Sequence, residues 1–183
     1  MRKIPHCILF LLVTTTIGLA EKLPKADHVL AEAKAKAATE HKAIFLIFGA
    51  SWCADCHTLD SFLKDREVAA IFDKYFVIAH LSVAEELADH SDRNNSGSMQ
   101  LLQKFGGVSG SGEVGLPFFV VLDSKGSALI TSKRPVKGKP EPEGIGFPTE
   151  PEEISWFLDM FKRGTDGLTP EEAHVLQDKL RKG

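Results

Sequence analysis

Cysteine is scarce in this 183-residue chain: there are three, at positions 7, 53 and 56. No second CxxC exists, so a four-thiolate zinc site is excluded. No basic cluster exists either, and acidic residues outnumber basic ones, 25 to 22, which argues against nucleic acid as a partner. There is no internal repeat. The length suffices for one domain with a real core but not for two ordinary ones. The one apolar run near the start, residues 7–19, is too short to span a bilayer comfortably.

That run has the composition of an export leader. Arg2 and Lys3 precede it, and Gly18 and Ala20 are small residues where a signal peptidase reads. The expectation is a signal peptide over 1–20, cut after Ala20, with no stable membrane insertion afterwards and a periplasmic or secreted location. Cys7 leaves with it. The leader holds two basic and no acidic residues, so its removal takes the net charge from −3 to −5. The remaining organisation is expected to be a folded domain over 21–163 and a helical tail over 164–183.

Residues 25–41 are alanine-rich, with Val29, Ala33 and Ala37 on one face, and predict a helix. "AIFLIF", 43–48, predicts a strand buried on both faces. From Cys53 the pattern turns helical, with Cys56, Leu59, Phe62 and Leu63 on one side, and resumes with Val68, Ile71 and Phe72 after a break near Asp65. Strands are expected at 76–83 and 116–123, and a hairpin partner at 127–132. A loop is expected at 84–97, a short helix at 98–107 and a loop at 133–149. An amphipathic helix over 151–161 carries Ile154, Phe157, Leu158 and Phe161 as its stripe. A last helix opens at Thr169-Pro170. The fold class is α/β, a central mixed sheet with helices on both faces.

"FGASWCADCH", 48–57, then stands at a strand-to-helix junction. A bridge between residues three apart closes a tiny loop and restrains the unfolded chain little, so this pair points to chemistry rather than to stapling. Backbone N–H groups and the macrodipole at a helix start favour a thiolate at Cys53. Cys56 lies one turn later, within reach of the first sulfur. Cys53 is therefore the candidate attacking thiolate and Cys56 the candidate resolving thiol, with exchange through a mixed disulfide.

"FGASWCADC" after a buried strand, together with "GLP" before a later one, resembles the thioredoxin-like superfamily, and more narrowly its secreted bacterial members with tryptophan before the CxxC. The resemblance covers roughly residues 27–163. It implies a thioredoxin-like fold with four to five strands in the central sheet. It also implies a Cys53–Cys56 disulfide in the oxidised form and a cis proline at Pro117. Leu116 and Pro117 would then pair with the substrate's extended chain, and Trp52 would cover the dithiol. No cofactor and no metal are implied. The partners would be protein thiols or disulfides and a redox donor protein.

The chain departs from thioredoxin proper in several places. Ile47 stands where thioredoxin buries an acid six residues before the first cysteine, which puts fast thioredoxin-grade reduction in doubt. His80 stands where thioredoxin places a lysine. It either shares the proton handling or is simply satisfied at a sheet edge. Asp55 beside the pair opposes a thiolate, and a protonated His57 favours one. The expected activity is protein thiol–disulfide exchange outside the cytoplasm, running as a reductase. Three alternatives stay open. One is a non-catalytic peptide-binding or chaperone-like module on the same scaffold. Another is c-type haem attachment at Cys53, Cys56 and His57, with Met99 or Met160 as a further ligand. The third is a zinc site drawing on His80, His90 or His174. The loop at 133–149 is either a partner contact or a solvated connection.

Overall fold

The computed structural model describes residues 22–165 and 167–182; the expected leader, 1–20, lies outside the described residues. The elements are α1 (Ala26–Glu40), β1 (Ala43–Gly49), α2 (Ala54–Lys64), α3 (Arg66–Tyr75), β2 (Phe76–Ser82), α4 (Ser98–Lys104), β3 (Phe118–Leu122), β4 (Ala128–Thr131), β5 (Lys133–Arg134), β6 (Glu143–Gly144), α5 (Pro151–Gly164) and α6 (Pro170–Leu180). Four strands form the main sheet in the order β2-β1-β3-β4. β1 runs parallel to β2 and antiparallel to β3, and β3 is antiparallel to β4.

β1 explains why helices cover both faces. Successive side chains of a strand point to opposite sides. Phe45 and Ile47 enter the core made with α2, α3, α5 and α6, while Ile44, Leu46 and Phe48 enter the core made with α1 and α4. The break between α2 and α3 falls at Asp65, whose carboxylate accepts from the N–H groups of Glu67 and Val68 at 3.0 and 3.3 Å. An aspartate used this way starts a new helix and ends the old one.

Three expectations need correction. The stretch 133–149 is not all loop: β5 pairs with β6, and Ile145 and Phe147 are buried in the main core. These two apolar residues, alternating within a proline- and glycine-rich stretch, pull it onto the domain. The buried stripe of α5 is Ile154, Phe157, Met160 and Phe161, with Leu158 only half-buried. The third strand of the main sheet starts at Phe118, so Leu116 and Pro117 precede it rather than open it.

The C-terminal segment, whose role composition left open, packs on the domain. α6 begins with a capping box between Thr169 and Glu172, and its Leu176 and Leu180 are buried against α3 and α5. Glu172 also accepts from the Tyr75 hydroxyl at 2.7 Å, the Thr169 N–H at 2.9 Å and the Lys74 ammonium at 2.9 Å. Burial alone would raise its pKa, but these hydrogen bonds outweigh it and hold the carboxyl at about 2. Its contribution to stability is therefore present above about pH 4.5 and is lost as pH falls toward 2. With solvent screening allowed for, that contribution is on the order of 1 kcal/mol. In urea titrations, Glu172→Gln should cost the protein stability at pH 7 and leave the mutant and parent curves converging near pH 2. A gap independent of pH would show that the charge contributes nothing.

Candidate active site

β1 delivers the chain to Gly49, and residues 50–53 turn it into α2. Cys53 is the N-cap of α2, with φ −86° and ψ 110°, and its Sγ accepts from the Cys56 N–H at 3.1 Å. An N-cap side chain satisfies one of the free N–H groups of the first turn, and a sulfur there is held where negative charge is favoured. Cys53 and Cys56 are joined as a disulfide, with their Cα atoms 5.2 Å apart. Both are buried, at 5% and 7% exposure, and pack with Ala50 and Leu116. The Leu116–Pro117 peptide bond is cis. The structure thus brings Cys53, Cys56 and Leu116 together, with Pro117 next in the chain.

Trp52 is at the surface, 43% exposed, so it does not fill the core. Its indole N–H donates to the Ala84 carbonyl at 2.9 Å. Asp55 and His57 are exposed. The Asp55 carboxylate lies where a side chain at Gly146 would stand, so the 133–149 stretch borders the first turn of α2. The His57 ring donates from Nε2 to the Ser51 carbonyl at 2.9 Å.

Behind Cys56 lies a cleft of about 460 Å³ lined by Ile47, His57, Asp60, Lys64, His80 and Glu85, among others. His80 sits on β2 opposite Ile47, and its Nδ1 is 3.8 Å from Asp60 Oδ1. Its side chain is 53% exposed; its pKa is lowered, chiefly by desolvation, with Asp60 opposing and Lys64 adding. The lowered pKa favours the uncharged form of the imidazole.

Residues that sequence reasoning missed hold this site from behind. Glu85 is buried and takes both the N–H and the hydroxyl of Ser51. Asn94 Oδ1 accepts from the Glu85 N–H at 3.1 Å, and Asn95 Oδ1 accepts from the Ser82 N–H at 2.7 Å. The stretch "DRNNSGS" thus braces the turn after β2. The only sequence signal was an acid just past a strand, and nothing nearby showed its partner 34 residues away.

Of the haem candidates, the two sulfurs are bonded to each other, Met160 lies in the core on one face of the sheet, and Met99 packs half-buried against the core on the other. Among the described residues no three His, Cys, Asp or Glu side chains gather as a metal site.

A four-stranded mixed sheet, a CxxC at the N-cap of α2 and a cis proline ahead of β3 define a thioredoxin-fold protein with a disulfide-capable pair. The chain belongs to the thioredoxin-like family, whose model matches residues 26–124. Similar solved structures include a disulphide isomerase from Xylella fastidiosa Temecula1, 28% identical, covering 63% of this chain and 80% of that one with a TM-score of 0.49. A DsbH oxidoreductase is 19% identical over 85% of this chain and 95% of its own, with a TM-score of 0.44. The oxidised C-terminal domain of DsbD from Neisseria meningitidis is 21% identical over 76% of this chain and 99% of its own, also with a TM-score of 0.44. No curated protein sequence matches the chain.

Proposed function

We propose that this protein exchanges thiols and disulfides with protein substrates outside the cytoplasm, as a reductase supplied with electrons by another thiol–disulfide protein. The observation that carries the proposal is the Cys53 sulfur at the N-cap of α2, accepting the Cys56 N–H and bonded to the Cys56 sulfur. In the reduced protein, Cys53 attacks one sulfur of a substrate disulfide and releases the other as a thiolate. Cys56 then attacks the Cys53 sulfur of the mixed disulfide, which frees the second substrate thiol and leaves the 53–56 disulfide. Leu116 and Pro117 are the proposed contact for the substrate backbone, and Trp52 is a surface contact beside it. The location rests on the composition of residues 1–20; among the described residues, no helix is long and apolar enough to cross a membrane.

The test is reduction of insulin by dithiothreitol. The protein should accelerate it, and Cys53→Ser should not. A folded protein without effect on any model disulfide would instead favour the non-catalytic peptide-binding module.

His80 is the proposed acceptor for the Cys56 proton, since it shares the cleft with Cys56 and its lowered pKa favours the uncharged form. His80→Ala should slow resolution of the mixed disulfide severalfold near pH 7 and flatten its dependence on pH. Stopped-flow traces with an unchanged pH profile would leave His80 as a sheet-edge histidine only.

A further inference from the structure

Glu85 is the only charged side chain among the described residues that is fully enclosed, at 2% exposure. Its oxygens accept from Ser51, the backbone N–H at 2.7 Å and the hydroxyl at 2.5 Å. Each oxygen takes one of the two Ser51 donors. Among the described residues no lysine, arginine or histidine forms an ion pair with it. Enclosing a carboxylate with no cation is costly, and an apolar side chain would serve the fold better. The cost falls at the active site. Ser51 is two residues before Cys53. Ala84, the residue before Glu85, sits at φ 58° and takes the Trp52 indole N–H. One turn therefore holds both residues leading into the reactive sulfur, and its carboxylate lines the same cleft as Cys56.

We propose, on the basis of the exchange chemistry above, that Glu85 is a positioning residue that sets the redox poise of the 53–56 pair. It pins Ser51 and, as a carboxylate in the cleft that Cys56 lines, opposes negative charge on the pair. Reduction of the disulfide takes up two electrons and, when both thiols are protonated, two protons. When Cys53 ionises, one proton leaves and a negative charge stays on sulfur. A carboxylate nearby raises the free energy of that reduced form, so the dithiol gives up its electrons more readily. The N-terminus of α2 acts in the opposite direction, as do Lys64 and any protonated His57 or His80 in the cleft, while Asp60 acts with Glu85. Glu85 thus favours the direction proposed for the protein.

The experiment is equilibration of the full-length protein with glutathione buffers of known ratio, together with titration of the Cys53 thiolate by its ultraviolet absorbance. Glu85→Gln should shift the equilibrium about tenfold toward the dithiol, equivalent to about 30 mV for a two-electron couple. It should also let the thiolate form at lower pH. Glu85→Asp keeps the charge and should stay closer to the parent than Glu85→Gln. A Glu85→Gln protein within twofold of the parent overturns the role, and so does a Glu85→Asp protein that shifts as far as Glu85→Gln. Should Glu85→Gln fail to fold, Ser51→Ala removes one of the two bonds that hold the carboxylate and must shift the equilibrium more than twofold; a smaller shift overturns the role. A parent protein that never exchanges with glutathione overturns the exchange function and this role together. Normal exchange with the Glu85 variants unmoved overturns this role alone.

Discussion

Cys56→Ser is expected to convert a turnover catalyst into a trap. On the proposed mechanism the variant keeps Cys53 reactive, because the hydrogen bond to the Cys53 sulfur comes from the backbone N–H of residue 56 and does not depend on its side chain. The first step therefore survives: Cys53 attacks a substrate disulfide and becomes covalently joined to it. The second step has lost its nucleophile, since a serine hydroxyl does not displace a thiol from a disulfide. Non-reducing gels of Cys56→Ser incubated with an oxidised protein substrate should show a covalent adduct that thiol reagents dissolve. Multiple turnover should fall by orders of magnitude. Cys53→Ser should show neither adduct nor turnover, because on the proposed roles it lacks the attacking sulfur at the N-cap of α2. Adduct formation by Cys53→Ser equal to that of Cys56→Ser would reverse the assignment of the two roles. Turnover by Cys56→Ser near the parental rate would remove the resolving step from the mechanism.

What was legible in the sequence was local. The CxxC, the proline before a buried strand and the break at Asp65 are each set by a few adjacent residues whose preferences agree with the fold. Both faces of β1 could be read from "AIFLIF" because every position in it is apolar. The bracing of the site could not be read in this way. Glu85 and Ser51 meet only because β2 lies beside β1 and their ends turn toward each other, and Val83 donates to the Gly49 carbonyl at that edge. A charged residue in a polar stretch looks like surface until the sheet places it. The same reason hid Ile145 and Phe147. Proline and glycine around them signal irregular backbone correctly, but irregular backbone can still bury two side chains. Met160 takes a buried place while Leu158 stays half-buried, which the periodicity of the sequence alone does not supply.

Phe157→Ala should be among the most destabilising single truncations, because its ring is the meeting point of four other elements. Its centroid lies 6.2 Å from Phe45 of β1, 5.8 Å from Phe119 of β3, 6.0 Å from Phe62 of α2 and 6.4 Å from Phe72 of α3. Phe161 of its own helix is 5.7 Å away. Removing a fully buried phenylalanine costs about 3–5 kcal/mol through lost transfer energy and the cavity left behind. Edge-to-face aromatic contacts each contribute roughly 0.5–1.5 kcal/mol beyond burial, which places this site toward the upper end of that range. A domain of this size has about 5–15 kcal/mol in total, so the variant should be marginal at 37 °C. Half-buried Leu158 is the internal comparison, and Leu158→Ala should cost much less. Urea unfolding of both, with equal slopes, separates them; a Phe157→Ala loss no larger than that of Leu158→Ala would mean that the ring cluster does not organise the core. The cluster also bears on the chemistry. Phe62 lies on the helix that starts at the active-site sulfur, so loosening its packing lets the first turn of α2 move against the cis proline segment. Folded Phe157→Ala should therefore keep exchange activity at low temperature and lose it on warming ahead of global unfolding.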